Sequence, residues 1–287
     1  GWPDPAFRPT DLQQMTLHQG RLQQQDPQLN QWIYQFEQPL APGASTRLSL
    51  RLQIQQTGLA PLQFQQIIRP EFSYLRLWQL LPQPGFQREL RLTGAHIRAQ
   101  HGLAPLPDSE LKPSVQSALT TPKSARYDWV KLDTHLHVPT GYQGIAAGKL
   151  QRQWRSGAEQ QSFHYSTSAP IRNVPAVVAV PWQGQLSTVG GVDLALYSPY
   201  YNAATDLSWQ AMRHTLTWFE QQIGPYPGDS LKLVMAPDLG PTGYALPQLV
   251  LINHRVGLRA DAAPDAGFSQ IYRRTVHEMA HQWFGHG

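Results

Sequence analysis

Apolar and polar residues alternate along most of the first half of the chain. Leu48, Leu50, Leu52 and Ile54 alternate with Arg47, Ser49, Arg51 and Gln53, the period of two that marks a half-buried strand. Trp32, Tyr34 and Phe36 repeat the pattern, and Val130, Leu132, Thr134, Leu136 and Val138 repeat it again up to Pro139. Ala176 to Val180 is an unbroken apolar run closed by Pro181, which reads as a buried strand. Pro- and Gly-rich turns between these runs predict a twisted, mostly antiparallel β domain over about residues 20 to 185. The stretch 101–124, rich in Pro and Ser, reads as a surface loop.

Near residue 200 the period changes. Met212, Leu216, Phe219 and Ile223 fall on one face of a helix that begins at Asp206 as its N-cap and stops at Gly224-Pro225. Leu231 to Met235 and Leu249 to Ile252 read as strands. A second helix is expected from about Ala266 onward, with Ile271, Thr275, Glu278 and Gln282 on one side and Tyr272, Val276, Met279 and Trp283 beside them. The change places a boundary between residues 182 and 200. The expectation is an α+β chain with a β-rich domain over 1–190 and a helix-and-strand unit over 191–287.

Composition narrows the classes without choosing one. With 41% hydrophobic and 15% charged residues, the 287-residue chain is neither disordered nor collagen-like nor a coiled coil. No apolar run reaches the roughly 18 residues of a membrane-spanning helix, so no membrane insertion by this chain is expected. The absence of Cys excludes a disulfide scaffold or a zinc finger. A net charge of +4 is spread over scattered Arg and Lys, and no basic stripe points to nucleic acid. The many Gln before residue 70 are interleaved with apolar residues and read as polar strand faces. Starting at Gly1 without Met, the chain reads as a piece of a longer protein.

Two motifs carry possible metal chemistry. His277-Glu278-Met279-Ala280-His281 is an H-E-x-x-H pattern on a predicted helix. Residues i and i+4 share a helix face with Cβ atoms about 5–6 Å apart, so two imidazoles can hold one Zn²⁺. Glu278, beside the first ligand, is placed to take a proton from the attacking water. The second motif is Asp133-Thr134-His135-Leu136-His137, a D-x-H-x-H pattern similar to the one that opens the barrel of amidohydrolases. Chance would produce the first in about one chain per hundred of this composition and the second about twice as often, so rarity does not separate them. Context does, because repeated strand-helix units should follow the second motif in a barrel, and strands and turns follow here. Asp133, His135 and His137 are therefore expected on an exposed strand face without metal. His164, His214 and His254 read as lone structural residues.

The helix motif brings a family into view. Thr275 to Gly285 resembles the zinc helix of gluzincin metallopeptidases of the aminopeptidase N type. Upstream, Tyr197-Ser198-Pro199, the helix from Asp206 to Ile223, Gly224-Pro225-Tyr226-Pro227 and Val234 to Asp238 follow the order in which that family enters its thermolysin-like catalytic domain. In that family a β-saddle domain comes first. Pro84 to Leu90, Arg98 to Leu103, Phe163-His164-Tyr165, Ala169-Pro170-Ile171 and Asn173 are similar to the bacterial subgroup fused to ABC transporter permeases.

The resemblance implies zinc-dependent hydrolysis of a peptide substrate, with His277 and His281 as ligands and Glu278 as general base. It implies a third ligand, a Glu at about position 300, beyond Gly287, so the chain by itself is expected to be inactive. The family's substrate-aligning Gly-x-Met-Glu-Asn strand corresponds to Tyr244-Ala245-Leu246-Pro247-Gln248, which makes Ala245, Leu246, Pro247 and Gln248 the substrate-binding positions. Pro247 stands where the family's Glu binds a free α-amine. This departure leaves exopeptidase specificity open and supports a second reading, a non-catalytic peptidase-like binding ectodomain of a membrane transporter. The subgroup further implies permease partners and an extracytoplasmic location, tethered to the membrane. A third reading is an amidohydrolase-type site on Asp133, His135 and His137.

Overall fold

The computed structural model describes residues 12–26, 31–55, 66–85, 92–107, 128–237, 240–259 and 269–286. Four strands open the chain: β1 (Leu12–Leu17), β2 (Gly20–Asp26), β3 (Gln31–Phe36) and β4 (Leu48–Leu52), paired antiparallel as β1 with β4 and β2 with β3. Trp32, Tyr34 and Phe36 are the less exposed positions of β3, as their alternation predicts. Next come β5 (Gln66–Arg69), β6 (Phe72–Arg76), β7 (Trp129–Val130), β8 (Asp133–Pro139), β9 (Gln143–Ala146), β10 (Lys149–Arg155), β11 (Gln160–Ser166), β12 (Ile171–Arg172) and β13 (Ala176–Val180). They form a four-stranded sheet in the order β5-β6-β13-β9, a three-stranded sheet β10-β11-β8 and the short pair β12-β7. Of the expected loop over 101–124, residues 108–124 lie outside the described residues.

The last sheet has five strands. It contains β14 (Gly184–Val189), β15 (Val192–Tyr197), β16 (Ser230–Ala236), β17 (Gly243–Leu246) and β18 (Leu249–Asn253), ordered β14-β15-β16-β18-β17. Its three central strands are parallel and its two edge strands antiparallel. The β14-β15 hairpin spans residue 190 and belongs wholly to this sheet. A helix, Ala203–Gln222, connects β15 to its parallel neighbour β16.

The central strands of this sheet read as near-continuous apolar runs because both of their faces are covered. Val192, Leu194, Leu196, Leu231, Leu233, Met235, Val250 and Ile252 point to one side and meet Met212 and Leu216 of the helix. Ala195, Tyr197, Val234, Ala236, Leu249 and Leu251 point to the other and join Phe72, Tyr74, Ile145 and Val178 of the four-stranded sheet in one core. Val177 and Ala179, on the back of β13, pack with Val138, Phe163 and Tyr165 of the three-stranded sheet. The chain is thus layered as helices, five-stranded sheet, four-stranded sheet, three-stranded sheet. Each fully buried Val, Leu or Ile in these layers contributes about 1.5–3 kcal/mol.

Two helix ends differ from the sequence reading. The 203–222 helix is capped by Asn202, not Asp206: Asn202 Oδ1 accepts from the amides of Ala204 and Thr205, and the Thr205 hydroxyl accepts from the Asn202 amide. This capping box satisfies donors that have no partner inside the helix, and Asp206 then lies in the first turn, where the helix dipole favours an acid. Ile223, expected on the apolar face, is 49% exposed. The last helix, Gln270–Phe284, is capped by Ser269, whose hydroxyl accepts from the Tyr272 amide. The expected start at Ala266 lies outside the described residues. No described helix is both long and apolar enough to cross a membrane.

Candidate metal centre

The 270–284 helix buries Ile271, Thr275, Glu278, Met279 and Gln282 and leaves His277 and His281 exposed. That split follows from its spacing: Glu278 shares the stripe i, i+4, i+7, i+11 that begins at Ile271, while the two histidines stand on the neighbouring edge. Their Nε2 atoms lie 3.3 Å apart, with the rings edge to face at 4.9 Å between centroids. His277, Glu278 and His281 bring a donor atom each within 4.8 Å of one another. A tetrahedral Zn²⁺ with nitrogen ligands at about 2.0–2.1 Å needs them about 3.4 Å from each other, so the imidazole pair fits the ion.

Glu278 is 4% exposed and fixed from two directions. Arg274, one turn earlier, approaches its Oε1 with Nη1 at 3.2 Å. The backbone of Gly243 in β17 supplies the rest of the recess, since a Cβ there would come within 2.3 Å of Oε1 and 2.6 Å of the carboxyl carbon. Only glycine leaves room for the carboxylate. Gly243→Ala is therefore expected to displace Glu278 and to lower stability by about 1–3 kcal/mol. Denaturant unfolding of the two proteins checks the stability, and unchanged midpoints would show that the recess yields freely.

Sequence reasoning did not anticipate the residues that lock this helix to β17. Gln282 Nε2 donates to the Leu246 carbonyl at 2.9 Å, and Gln282 Oε1 accepts from the Gln248 amide at 2.8 Å. His286 Nε2 lies 3.1 Å from the Ala245 carbonyl, and burial lowers the pKa of this ring. The signal for Gln282 was present, as a polar residue at a buried-stripe position. Nothing in the local sequence marks His286.

The substrate strand expected over 244–248 is a strand only in part. β17 ends at Leu246, and Pro247 and Gln248 make a two-residue turn back into β18. Gln248 has φ +58°, so with Pro before it the turn is type II, where proline pre-sets the second position and a positive φ is required at the third. Pro247 is thus a turn residue and not a strand residue. Leu246 is buried in the core, Pro247 and Gln248 are buried in the turn, and Ala245 is half-buried. The open cleft beside the motif, about 580 Å³, is lined instead by Thr242, Asn253, Arg255, Arg273, Arg274 and His277.

The second motif lies on β8 in the antiparallel three-stranded sheet, not at the mouth of a parallel barrel. Asp133, His135 and His137 are exposed, as expected. His164 is not lone: its Nε2 lies 3.0 Å from Asp133 Oδ2, and its ring stacks on His135. His214 also has a partner, the Tyr272 hydroxyl at 3.0 Å from its Nδ1.

No protein-family model and no curated protein matches the chain. Many solved structures do, among them the crystal structure of an M1 zinc metallopeptidase from Deinococcus radiodurans. The superposition has a TM-score of 0.57 at 17% identity and covers 96% of this chain and 54% of that one. The chain therefore has an α+β, peptidase-like fold and spans about half the length of the protein it resembles.

Proposed function

We propose that the chain is part of a zinc-dependent peptidase in which His277 and His281 hold the metal and Glu278 is the general base. The observation that carries this is the pair of Nε2 atoms 3.3 Å apart on an exposed helix edge, next to a buried carboxylate. Bound zinc would supply a Lewis acid that polarises the scissile carbonyl and acidifies water. Glu278 accepts the proton of the attacking water and returns it to the leaving amine, and Arg274 with Gly243 holds its carboxylate in one orientation. The open cleft beside His277 leaves room for a peptide next to the metal edge. Residues 244–248 contain no carboxylate, so they offer no negative side chain to a free α-amine.

The third ligand, a Glu at about position 300, rests on the sequence resemblance, as do the transporter-linked subgroup, the permease partners and the membrane-tethered, extracytoplasmic location. The rival reading, a binding ectodomain without catalysis, is favoured by the apolar and turn character of Leu246-Pro247. Metal analysis with peptide turnover on the complete protein tests the choice. The peptidase reading expects zinc-dependent turnover, with His277→Gln/His281→Gln abolishing the turnover and removing one zinc ion. Zinc-free protein, or turnover that survives the double substitution, would overturn it.

A further inference from the structure

The outward face of the three-stranded sheet gathers residues that are separate in sequence. The inward face is apolar, with Val138, Phe163 and Tyr165 in the core. In the β8–β11 register, His135 stands opposite His164 and His137 opposite Ser162. Cross-strand partners have their Cβ atoms about 4.5–5.5 Å apart, so the paired rings meet. The His135 and His164 rings stack at 4.2 Å between centroids and 11° between planes. Asp133, two residues before His135 on the same face, reaches both. Its Oδ1 lies 3.2 Å from His135 Nε2 and its Oδ2 3.0 Å from His164 Nε2.

We propose that Asp133, His135 and His164 form a second metal site, for a late first-row divalent cation such as Zn²⁺ or Cu²⁺. Two imidazoles and one carboxylate suit these ions, and their donor atoms all lie within 4.8 Å of one another. Bond lengths of about 2.0–2.2 Å set donors around a tetrahedral ion about 3.3–3.5 Å apart. The two carboxylate–imidazole distances already approach that separation, and to complete the set the stacked rings must tilt apart so that both in-plane lone pairs face one ion. The strand ladder holds all three ligands on a rigid surface, which limits the ordering cost of binding. The Asp133, His135 and His164 side chains are 63%, 52% and 26% exposed, so the ion enters from solvent and the remaining positions take water.

His137 is not part of this cluster, whose donor atoms within 4.8 Å of one another come from Asp133, His135 and His164. The His137 Nδ1 lies 2.7 Å from Ser162 Oγ, and Ser162 donates in turn to Ser156 Oγ at 2.6 Å. The D-x-H-x-H spacing therefore names one wrong partner: sheet register replaces His137 with His164, 27 residues further along the chain. A bound ion would cross-link β8 and β11 on a face that the peptidase site does not use.

The test is made on the complete protein with the helix motif removed by His277→Gln/His281→Gln. Equilibrium dialysis against Zn²⁺ should still find one ion per chain, released on acidification as protons compete for the imidazoles. Cu²⁺ in the same protein should give an electron paramagnetic resonance spectrum with coupling to two nitrogens. Adding His135→Gln/His164→Gln, or Asp133→Asn, should abolish both signals, and adding His137→Gln should leave both. All four side chains are exposed or half-buried, and circular dichroism verifies that each variant is folded. No bound ion in the helix-motif variant overturns the proposal. So does binding that survives His135→Gln/His164→Gln, or an equal loss with His137→Gln. Because the helix motif is already gone, failure here leaves the peptidase reading untouched, and the reverse also holds.

Discussion

Replacing Glu278 with Gln is expected to leave zinc in place and to lower peptide hydrolysis by about 10²–10⁴-fold, the range for loss of a general base. The substitution preserves the shape of a side chain that fills the recess at Gly243, so neither helix nor strand needs to move. It removes only the charge and the proton-accepting oxygen. Arg274, whose side chain is one-third exposed, can turn to solvent when the charge at 278 is removed. Both imidazoles remain, and Glu278 is not counted among the ligands, so metal content should match the parent. The check is kcat on a peptide substrate together with zinc content in the same sample. A retained rate would remove Glu278 from the chemistry. Parallel loss of zinc and rate would make it a ligand instead of a base.

Stability should rise by about 2 kcal/mol between pH 7 and pH 9 because of Lys232. This lysine on β16 is 5% exposed. Its ammonium donates to the Gly148 carbonyl and, at 2.8 Å, to Ser230 Oγ, and it lies 5.1 Å from the Tyr165 ring centroid. Burial lowers its pKa to about 7, against the opposing pull of Asp229 and Asp193. The unfolded chain keeps the proton up to the ordinary value near 10.5. Between those limits the unfolded state binds more protons, so raising the pH favours the folded state. The neighbouring tyrosines do not blur this window: burial pushes Tyr197 up to about 12, and Tyr165 is raised as well. Denaturant unfolding at pH 7, 8 and 9 measures the slope, and Lys232→Met should abolish it. Ser230 Oγ still donates to Gly148 in that variant, at 2.8 Å, so the carbonyl keeps a partner. Equal slopes in the two proteins would show that Lys232 stays charged when folded.

The lysine also shows how the layers are joined. The Gly148 amide donates to Gln248 Oε1, and the Gln248 amide donates to Gln282 on the motif helix. Gly148 has φ +91°, and a Cβ there would come within 2.5 Å of the Ser166 backbone. A polar path thus runs from the β-rich half, through the β17–β18 turn, to one turn beyond Glu278. Its members are 100 and 34 residues apart along the chain at successive steps.

What the sequence determined by itself is local and periodic. Alternation located β3, β4 and β8, an unbroken apolar run located β13, the 3.6-residue period located both long helices, and the i,i+4 histidines with a carboxylate between them marked the metal motif. Each of these signals comes from backbone geometry repeating over a few residues, so it survives without knowledge of the partners. Tertiary structure decided what depends on pairing across the chain. Register placed His164 opposite His135 and turned His137 toward Ser162. The tight hairpin moved Pro247 out of the strand and into a type II turn. Packing set Gly243 against Glu278 and gave Gln282 its two backbone partners. Such contacts form where two elements meet, and the residues of one element carry no record of which residue of the other will face them.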